Sequence, residues 1–185
     1  EFGNLQQAVQ RLEVLIPLAI GLIGVLLYVN FGSLIDTLLA ASVIPMAMIG
    51  GILALTVTGT PFSVSAAIGF VALFGIAAMD GIIVLSYFNR MIASGVGRAD
   101  AILLTCQTQM RPVVMTCIAA GVGLLPAALS SGIGSQVQKP LALVVVGGML
   151  LAPALILIVL PVFIEMFSRR AQQVEVQEIQ PRPAE

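Results

Sequence analysis

Long apolar runs separated by short polar segments dominate the chain, and several of these runs exceed twenty residues without a charge. A helical run of that length matches the hydrocarbon core of a bilayer. A transmembrane β-strand is about half as long, and backbone groups in lipid must be hydrogen-bonded internally. The pattern therefore predicts an all-α fold, a polytopic membrane helix bundle.

Five apolar runs are predicted to cross the membrane. Residues 1–13 before them are polar and compatible with a helix, and residues 168–185 after them are predicted to be a disordered tail. Residues 98–110 between the third and fourth runs are expected to form a short amphipathic helix at the membrane interface. The predicted transmembrane spans are residues 14–31, 34–57, 65–88, 112–129 and 140–167.

The basic residues predict the orientation of these spans. Five crossings put the two ends of the chain on opposite sides, and cytoplasmic loops carry the excess of Lys and Arg. Arg11 and Lys139 fall on the side of the N-terminus, which is therefore expected to be external, with the C-terminus cytoplasmic. The other side carries Arg90, Arg98, Arg111, Arg169, Arg170 and Arg182.

Composition excludes several classes of function. The chain is 59% hydrophobic and 9% charged, has a net charge of −1, and contains two cysteines and no histidine. Nothing here indicates nucleic-acid binding, a zinc site, a cofactor or an enzyme, because no nucleophile–base pair, phosphate loop or metal-ligand cluster is visible. The eight methionines suit either packing or soft metals such as Cu(I), and their spacing does not demand a metal.

Asp80 is the acidic residue that lies deep inside a predicted span, whereas Asp36 and Glu165 lie near the ends of theirs. Arg90 follows ten residues later, about 15 Å along a helix. If Arg90 marks the membrane surface, Asp80 lies near the midplane, where an aspartate costs about 3 kcal/mol. Such a residue is expected either to carry protons or ions, or to be a neutral, hydrogen-bonded packing acid.

Small residues recur at every third position of the third span. Such residues let transmembrane helices approach closely, and Asp80 beside them is expected to face protein. Pro45 is expected to kink the second span, and Gly50 and Gly51 to allow a close helix contact. The small residues of the third span are Gly69, Ala72, Gly75, Ala78 and Gly81.

Five short motifs, in their order and spacing, resemble one family. The chain is similar to the C-terminal membrane half of a resistance-nodulation-division (RND) efflux pump, of the heavy-metal branch for cobalt, zinc and cadmium or for copper and silver. The motifs are Pro61-Phe-Ser-Val-Ser65, Gly69-Phe-Val-Ala-Leu-Phe-Gly75, Met79-Asp-Gly-Ile-Ile83, Arg111-Pro-Val-Val-Met-Thr116 and Gly134-Ser-Gln-Val-Gln-Lys-Pro-Leu141.

The resemblance implies an assembly larger than this chain. Members of the family have twelve transmembrane helices in two halves, and this chain would supply helices eight to twelve, with residues 1–13 ending a periplasmic connector. The expected partners are the remaining half of the pump, two further copies in a trimer, a periplasmic adaptor, an outer-membrane channel, the metal cation and lipid of the bacterial inner membrane. Since the sequence begins without Met, we expect further chain upstream.

The resemblance also assigns candidate site residues. The relay lysine of drug pumps matches Met79, which places Asp80 one position away as the candidate proton-coupling acid. Thr116 matches a relay threonine, or it bonds a carbonyl of its own helix. Arg111 is expected to cap its span as a cytoplasmic anchor, with a relay role as the alternative.

The implied function is the membrane portion of a proton-driven metal-efflux transporter. The alternatives are a non-transporting membrane module of the same superfamily, for drug efflux, protein export or scaffolding, and a truncated pump without activity of its own. The resemblance implies that the main relay aspartates and the metal-selecting periplasmic domains belong to parts of the pump outside this chain.

Overall fold

Six helices make up the part of the chain that the structure, a computed structural model, describes: the backbone of residues 2–179 and the side chains of residues 2–166. No strand occurs within that part, which confirms the all-α prediction. The helices are α1 (Phe2–Phe31), α2 (Leu34–Ala41), α3 (Val43–Thr58), α4 (Val64–Ala93), α5 (Arg98–Leu129) and α6 (Ser135–Ile179).

Five helical segments of the described chain are long and apolar enough to cross a membrane, as the sequence predicts. Four of them are single helices. The remaining segment, Leu34–Thr58, combines α2 and α3. The molecule is therefore a bundle of five candidate membrane spans.

The second span is broken at Ser42, between α2 and α3. Pro45 explains the break, because it has no N–H to offer the carbonyl of Ala41 and its ring crowds that carbonyl. The Ser42 N–H still donates to the Leu38 carbonyl at 3.0 Å, and its hydroxyl donates to the Leu39 carbonyl at 2.6 Å. The helix is thus interrupted three residues before the proline, with Ser42 still at right-handed helical angles (φ −63°, ψ −19°); a kink at this point stays a prediction.

Helix α6 lies at the centre of the bundle and packs against α2, α3, α4 and α5. Its inward side chains are apolar and almost fully buried, including Met149, Ile156 and Leu160. Helix α1 packs at the edge, against α2 and α4, and Leu27 is its one fully buried side chain among those described. The core is thus formed mainly by α3 to α6, together with Leu27 of α1 and Leu39 and Ala40 of α2.

Two boundaries differ from the prediction. Residues 98–110 do not form a separate interfacial helix: they are the first turns of α5, which continues through Pro112 to Leu129. Pro112 lies inside this continuous helix although it cannot donate a backbone hydrogen bond. The neighbouring helices of a membrane bundle make one such lost bond tolerable. Helix α6 runs to Ile179, beyond residue 168 where the disordered tail was predicted to begin. Residues 180–185 of that predicted tail lie outside the described residues.

Candidate functional site

Asp80 lies on the inward face of α4 and is buried, with 1% of its surface exposed. The thiol of Cys117 on α5 donates to its Oδ2 atom across 3.8 Å. Cys117 is 2% exposed. A carboxyl group that the sequence places near the middle of a span is therefore held between two helices, with a weak hydrogen-bond donor as its neighbour.

Two side-chain contacts fix the register of α4 against α5. Cys117 meets Asp80, and the Tyr87 hydroxyl donates to Thr108 Oγ1 at 3.3 Å. Moving seven residues forward on α4 thus corresponds to moving nine residues back on α5. The two helices are antiparallel, and the first turns of α5 lie beside the last turns of α4.

The other helix beside Asp80 presents apolar groups. A Cβ atom added to Gly81 would lie 3.1 Å from the carbonyl oxygen of Ala40 and 3.3 Å from Cγ2 of Val43. Ala40 and Val43 flank the break in the second span. Since a glycine is needed for this approach, α4 and the broken span meet backbone to backbone one residue after Asp80.

Cys117 belongs to a buried row on α5 that the sequence analysis missed. Its members recur every fourth residue, so each lies above its neighbour and the row winds slowly around the helix, by about 40° per step. The four-residue spacing is visible in the sequence, but the row mixes apolar and polar residues, so hydropathy does not mark it. The row consists of Ala101, Thr105, Gln109, Val113, Cys117 and Gly121.

Thr116 does not lie beside Asp80. It is exposed, and its hydroxyl donates to the carbonyl of Pro112 at 2.8 Å. Met79 on α4 is also exposed, at 60%. Met79 directly precedes the buried Asp80, and Thr116 directly precedes the buried Cys117. One residue corresponds to about 100° of rotation around a helix. On antiparallel helices these rotations turn toward the same side, so Met79 and Thr116 share one exposed face of the α4–α5 pair.

The predicted small-residue ridge is divided between two environments. Gly69 packs against Leu141 of α6, Gly81 packs against α2, and Ala78 is buried. Ala72 and Gly75 are exposed. A three-residue spacing rotates by about 300°, so successive members turn steadily around the helix. Within the described chain the five small residues therefore do not share one packing surface, and the role of Ala72 and Gly75 in helix packing stays a prediction.

Arg111 is not at a helix start. It is exposed and lies within α5, whose N-terminal residue is Arg98. It therefore cannot cap its helix, because the carbonyls and N–H groups around it belong to a continuous helix. A role as a membrane-surface anchor or in a relay stays a prediction.

The described residues contain no group of three or more His, Cys, Asp or Glu side chains close enough to hold a metal ion. The methionines are dispersed: Met46 and Met149 are buried in the core, whereas Met48, Met79 and Met115 are exposed. Within the described part of the chain, the fold and the Asp80–Cys117 contact define a multi-pass helical membrane protein with one acid in its core.

Comparison with known proteins identifies the family to which the chain belongs. The chain belongs to the AcrB/AcrD/AcrF family, whose model matches residues 1–168. The cobalt-zinc-cadmium resistance protein CzcA of Cupriavidus metallidurans is 42% identical over 174 residues, which are 94% of this chain and 16% of that protein. The nickel-cobalt-cadmium resistance protein NccA of Alcaligenes xylosoxydans xylosoxydans is 39% identical over 175 residues, 95% of this chain and 16% of that protein.

A solved structure shows the same arrangement. A heavy metal efflux pump superposes with a TM-score of 0.80 at 40% identity, and the match covers 91% of this chain and 16% of the pump. The resemblance to RND pumps of the heavy-metal branch is thereby confirmed. The chain spans about one sixth of the length of these relatives.

Proposed function

We propose that this chain is the C-terminal membrane portion of a proton-driven RND heavy-metal efflux transporter, and that Asp80 takes part in proton coupling. The observation that carries the proposal is a carboxyl group 1% exposed inside an apolar membrane bundle. The similarity to proteins named for cobalt, zinc, nickel and cadmium resistance supports a metal cation as the transported substrate.

Proton antiport requires a group that binds and releases a proton, coupled to a rearrangement between two states. Asp80 meets the first requirement, and its position at a helix interface suits the second. As a neutral acid it fits the packed interface with Cys117 and Gly81. As a carboxylate it requires water or donors, so losing the proton favours a more open arrangement of α4, α5 and the broken second span.

The exposed face that carries Met79 and Thr116 suits contact with the remaining half of the pump. We propose that relay groups of that half reach Thr116 there, while Asp80 acts from the inward side of the same helix pair. The full assembly proposed is a trimer in the bacterial inner membrane, with a periplasmic adaptor and an outer-membrane channel. The N-terminus of this segment is periplasmic and the C-terminus cytoplasmic, as its basic residues favour.

The test uses a full-length pump that carries this chain as its matching segment, reconstituted in proteoliposomes. Proton flux is measured under an imposed pH gradient. Zn²⁺, Co²⁺ and Cd²⁺ are each used as the driving metal in a separate experiment. Asp80→Asn keeps the shape of the side chain and removes the exchangeable acid, so flux is expected to fall to that of empty liposomes. Asp100→Asn is the matched control, because Asp100 is an exposed acid in the first turn of α5.

Expression and trimer assembly are measured alongside, so that a folding defect is recognised. Unchanged flux in Asp80→Asn would make Asp80 a neutral packing acid and place the relay entirely in the other half. Retention of biological function after changing both Asp80 and the Gly134–Lys139 loop would favour the alternative, a non-transporting membrane module.

A further inference from the structure

We propose that the buried polar side chains of α5, Cys117, Gln109 and Thr105, form the route along which Asp80 exchanges its proton with the Arg98 end of the bundle. This inference rests on the proposed proton-coupling role of Asp80 and adds a direction and two further residues to it. Thr105 and Gln109 are thereby assigned as positioning residues, because they hold water along the route and do not themselves change.

The buried polar groups lie on one side of Asp80. Among the side chains that the structure describes, the buried polar or charged ones besides Asp80 are Thr37, Thr105 and Gln109. By the α4–α5 register, Gln109 and Thr105 lie beside the last turns of α4. Thr37 is near the start of α2, one residue from Asp36, which accepts a hydrogen bond from Asn89 at 3.0 Å. All three therefore lie between Asp80 and the Ala93 end of α4.

The opposite direction from Asp80 is apolar. Toward the Val64 end, the buried residues of α4 are Ala, Gly, Leu and Phe, and the buried residues of α5 beyond Cys117 are Gly121 and Ala128. Buried polar side chains in a membrane bundle are costly unless they are hydrogen-bonded. A one-sided distribution of such residues points to a function on that side.

The row has the spacing that a water-assisted route requires. Gln109 lies eight residues from Cys117, about 12 Å along α5, and Thr105 follows after about 6 Å more. The Thr105 hydroxyl donates to the Ala101 carbonyl at 2.7 Å, which leaves its oxygen as an acceptor. A buried water needs two to four polar partners, and the amide of Gln109 supplies both donors and an acceptor.

Next to Asp80 the neighbouring helices present apolar groups, whereas at the Ala93 end of α4 Asp36 of α2 accepts a hydrogen bond from Asn89 and Arg98 donates to the carbonyl of Ile164 on α6. On the second span the groups next to Gly81 are Ala40 and Val43, and α6 presents buried apolar side chains from Met149 to Ile156. Of the titratable groups on α6 with described side chains, Lys139 and Glu165 lie near the two ends of the apolar stretch. The proton therefore passes along α5, and each transfer breaks one O–H bond and forms another on the next water.

Val113 interrupts the row between Cys117 and Gln109, and it is 1% exposed. A continuous polar path would let protons cross without metal. An apolar residue in the path allows transfer only when the helices separate enough for water to enter beside it. Val113 is therefore the point at which the route is closed in the described state.

The test compares buried residues with exposed ones of the same type on the same helix, in the reconstituted full-length pump. Gln109→Leu and Thr105→Val are expected to lower Zn²⁺-driven proton flux by about tenfold each, the effect of one lost hydrogen bond on a barrier. Gln107→Leu is the matched control, since Gln107 is exposed on the same helix, and it is expected to retain flux. Val113→Thr is expected to cause proton leakage without metal.

Gln109→Ser keeps a hydrogen-bonding group and space for water, and it is expected to restore most of the flux lost in Gln109→Leu. If the pump with Gln109→Leu fails to assemble, Gln109→Ser is the variant that tests this position. Equal flux in the buried variants and their controls, with flux still lost in Asp80→Asn, would overturn the route and leave Asp80 as a coupling residue. Retained flux in Asp80→Asn would instead overturn the proposed function on which the route depends.

Discussion

Gly147 on α6 lies directly against Gly50 on α3: a Cβ atom added to Gly50 would come within 2.8 Å of the Gly147 carbonyl oxygen. A Cβ added to Gly147 would in turn overlap the Cβ of Ala54. Neither neighbour is the end of a flexible side chain, so the helices themselves must move apart to accept a methyl group. The close contact between α3 and α6 therefore depends on glycine at both positions.

Gly50→Ala is expected to destabilise the membrane bundle by about 1–3 kcal/mol, the usual cost of overpacking a well-packed core. The measurement is the thermal midpoint at which the detergent-solubilised protein loses its monodisperse size-exclusion peak. Gly21→Ala on α1 is the matched control, because nothing lies within 4 Å of its added Cβ. That variant is expected to be as stable as the native protein or slightly more so. Equal midpoints for both variants would contradict the close α3–α6 contact.

Most features of the close contact between α3 and α6 could be predicted from the sequence. Gly50-Gly51 and Gly147-Gly148 stand out as glycine pairs in apolar runs, and the spans themselves follow from length and hydropathy. The sequence does not show which pair meets which, since helix order along the chain does not fix lateral neighbours. It also does not show which members of a three-residue repeat face inward, because that depends on how α4 is rotated within the bundle.

The candidate site was predictable in part for similar reasons. Asp80 is conspicuous as an acid in an apolar span, and its burial follows from the cost of exposing it to lipid. Its partner Cys117 lies 37 residues away, and its weakly polar side chain gives no signal in a hydropathy pattern. Thr116 matched a family motif, but a motif does not reveal the face of a helix on which a residue lies.

The two cysteines are expected to differ in reactivity. Cys117 is 2% exposed and lies against Asp80, whereas Cys106 is partly exposed. Maleimide is therefore expected to modify Cys106 at least about tenfold faster than Cys117, since labelling a buried thiol requires local opening. The rates are measured by mass spectrometry on the Cys106→Ser and Cys117→Ser variants.

Denaturation in sodium dodecyl sulfate should bring the two labelling rates together, which controls for differences in local sequence. Equal rates in the native protein would mean that the interface between Asp80 and Cys117 is open to reagent. Such a result would remove the dry environment on which the proposed role of Asp80 depends.

Thr116 offers a test of the exposed face of the α4–α5 pair. In the full-length pump, Thr116→Val removes the hydroxyl and is expected to lower metal-driven proton flux by at least about tenfold, whereas Thr116→Ser retains it. Thr56→Val on α3 is the control, because Thr56 is exposed and its hydroxyl likewise donates to a carbonyl of its own helix, that of Leu53, at 2.9 Å. Normal flux in Thr116→Val would show that the hydroxyl serves its own helix, as its bond to the Pro112 carbonyl allows.

Gly75 offers a separate test of what covers that face. With Ala72 and Met79 it forms an exposed stripe on α4, and a Cβ added to Gly75 meets nothing within 4 Å in this chain. Gly75→Leu should therefore leave the fold of these helices intact. If the remaining half of the pump packs closely there, the leucine must obstruct it, at an overpacking cost of about 1–3 kcal/mol.

The measurement is recovery of a split pump, in which this chain and the remaining half are expressed as separate polypeptides and the complex is isolated through a tag on one of them. Gly75→Leu is expected to reduce recovery by about tenfold, because 1.4 kcal/mol corresponds to that factor in affinity. Gly21→Leu, on the weakly buried helix α1, is the control for adding the same side chain at an exposed glycine. Normal recovery with Gly75→Leu would mean that lipid, and not the other half of the pump, covers this face of α4.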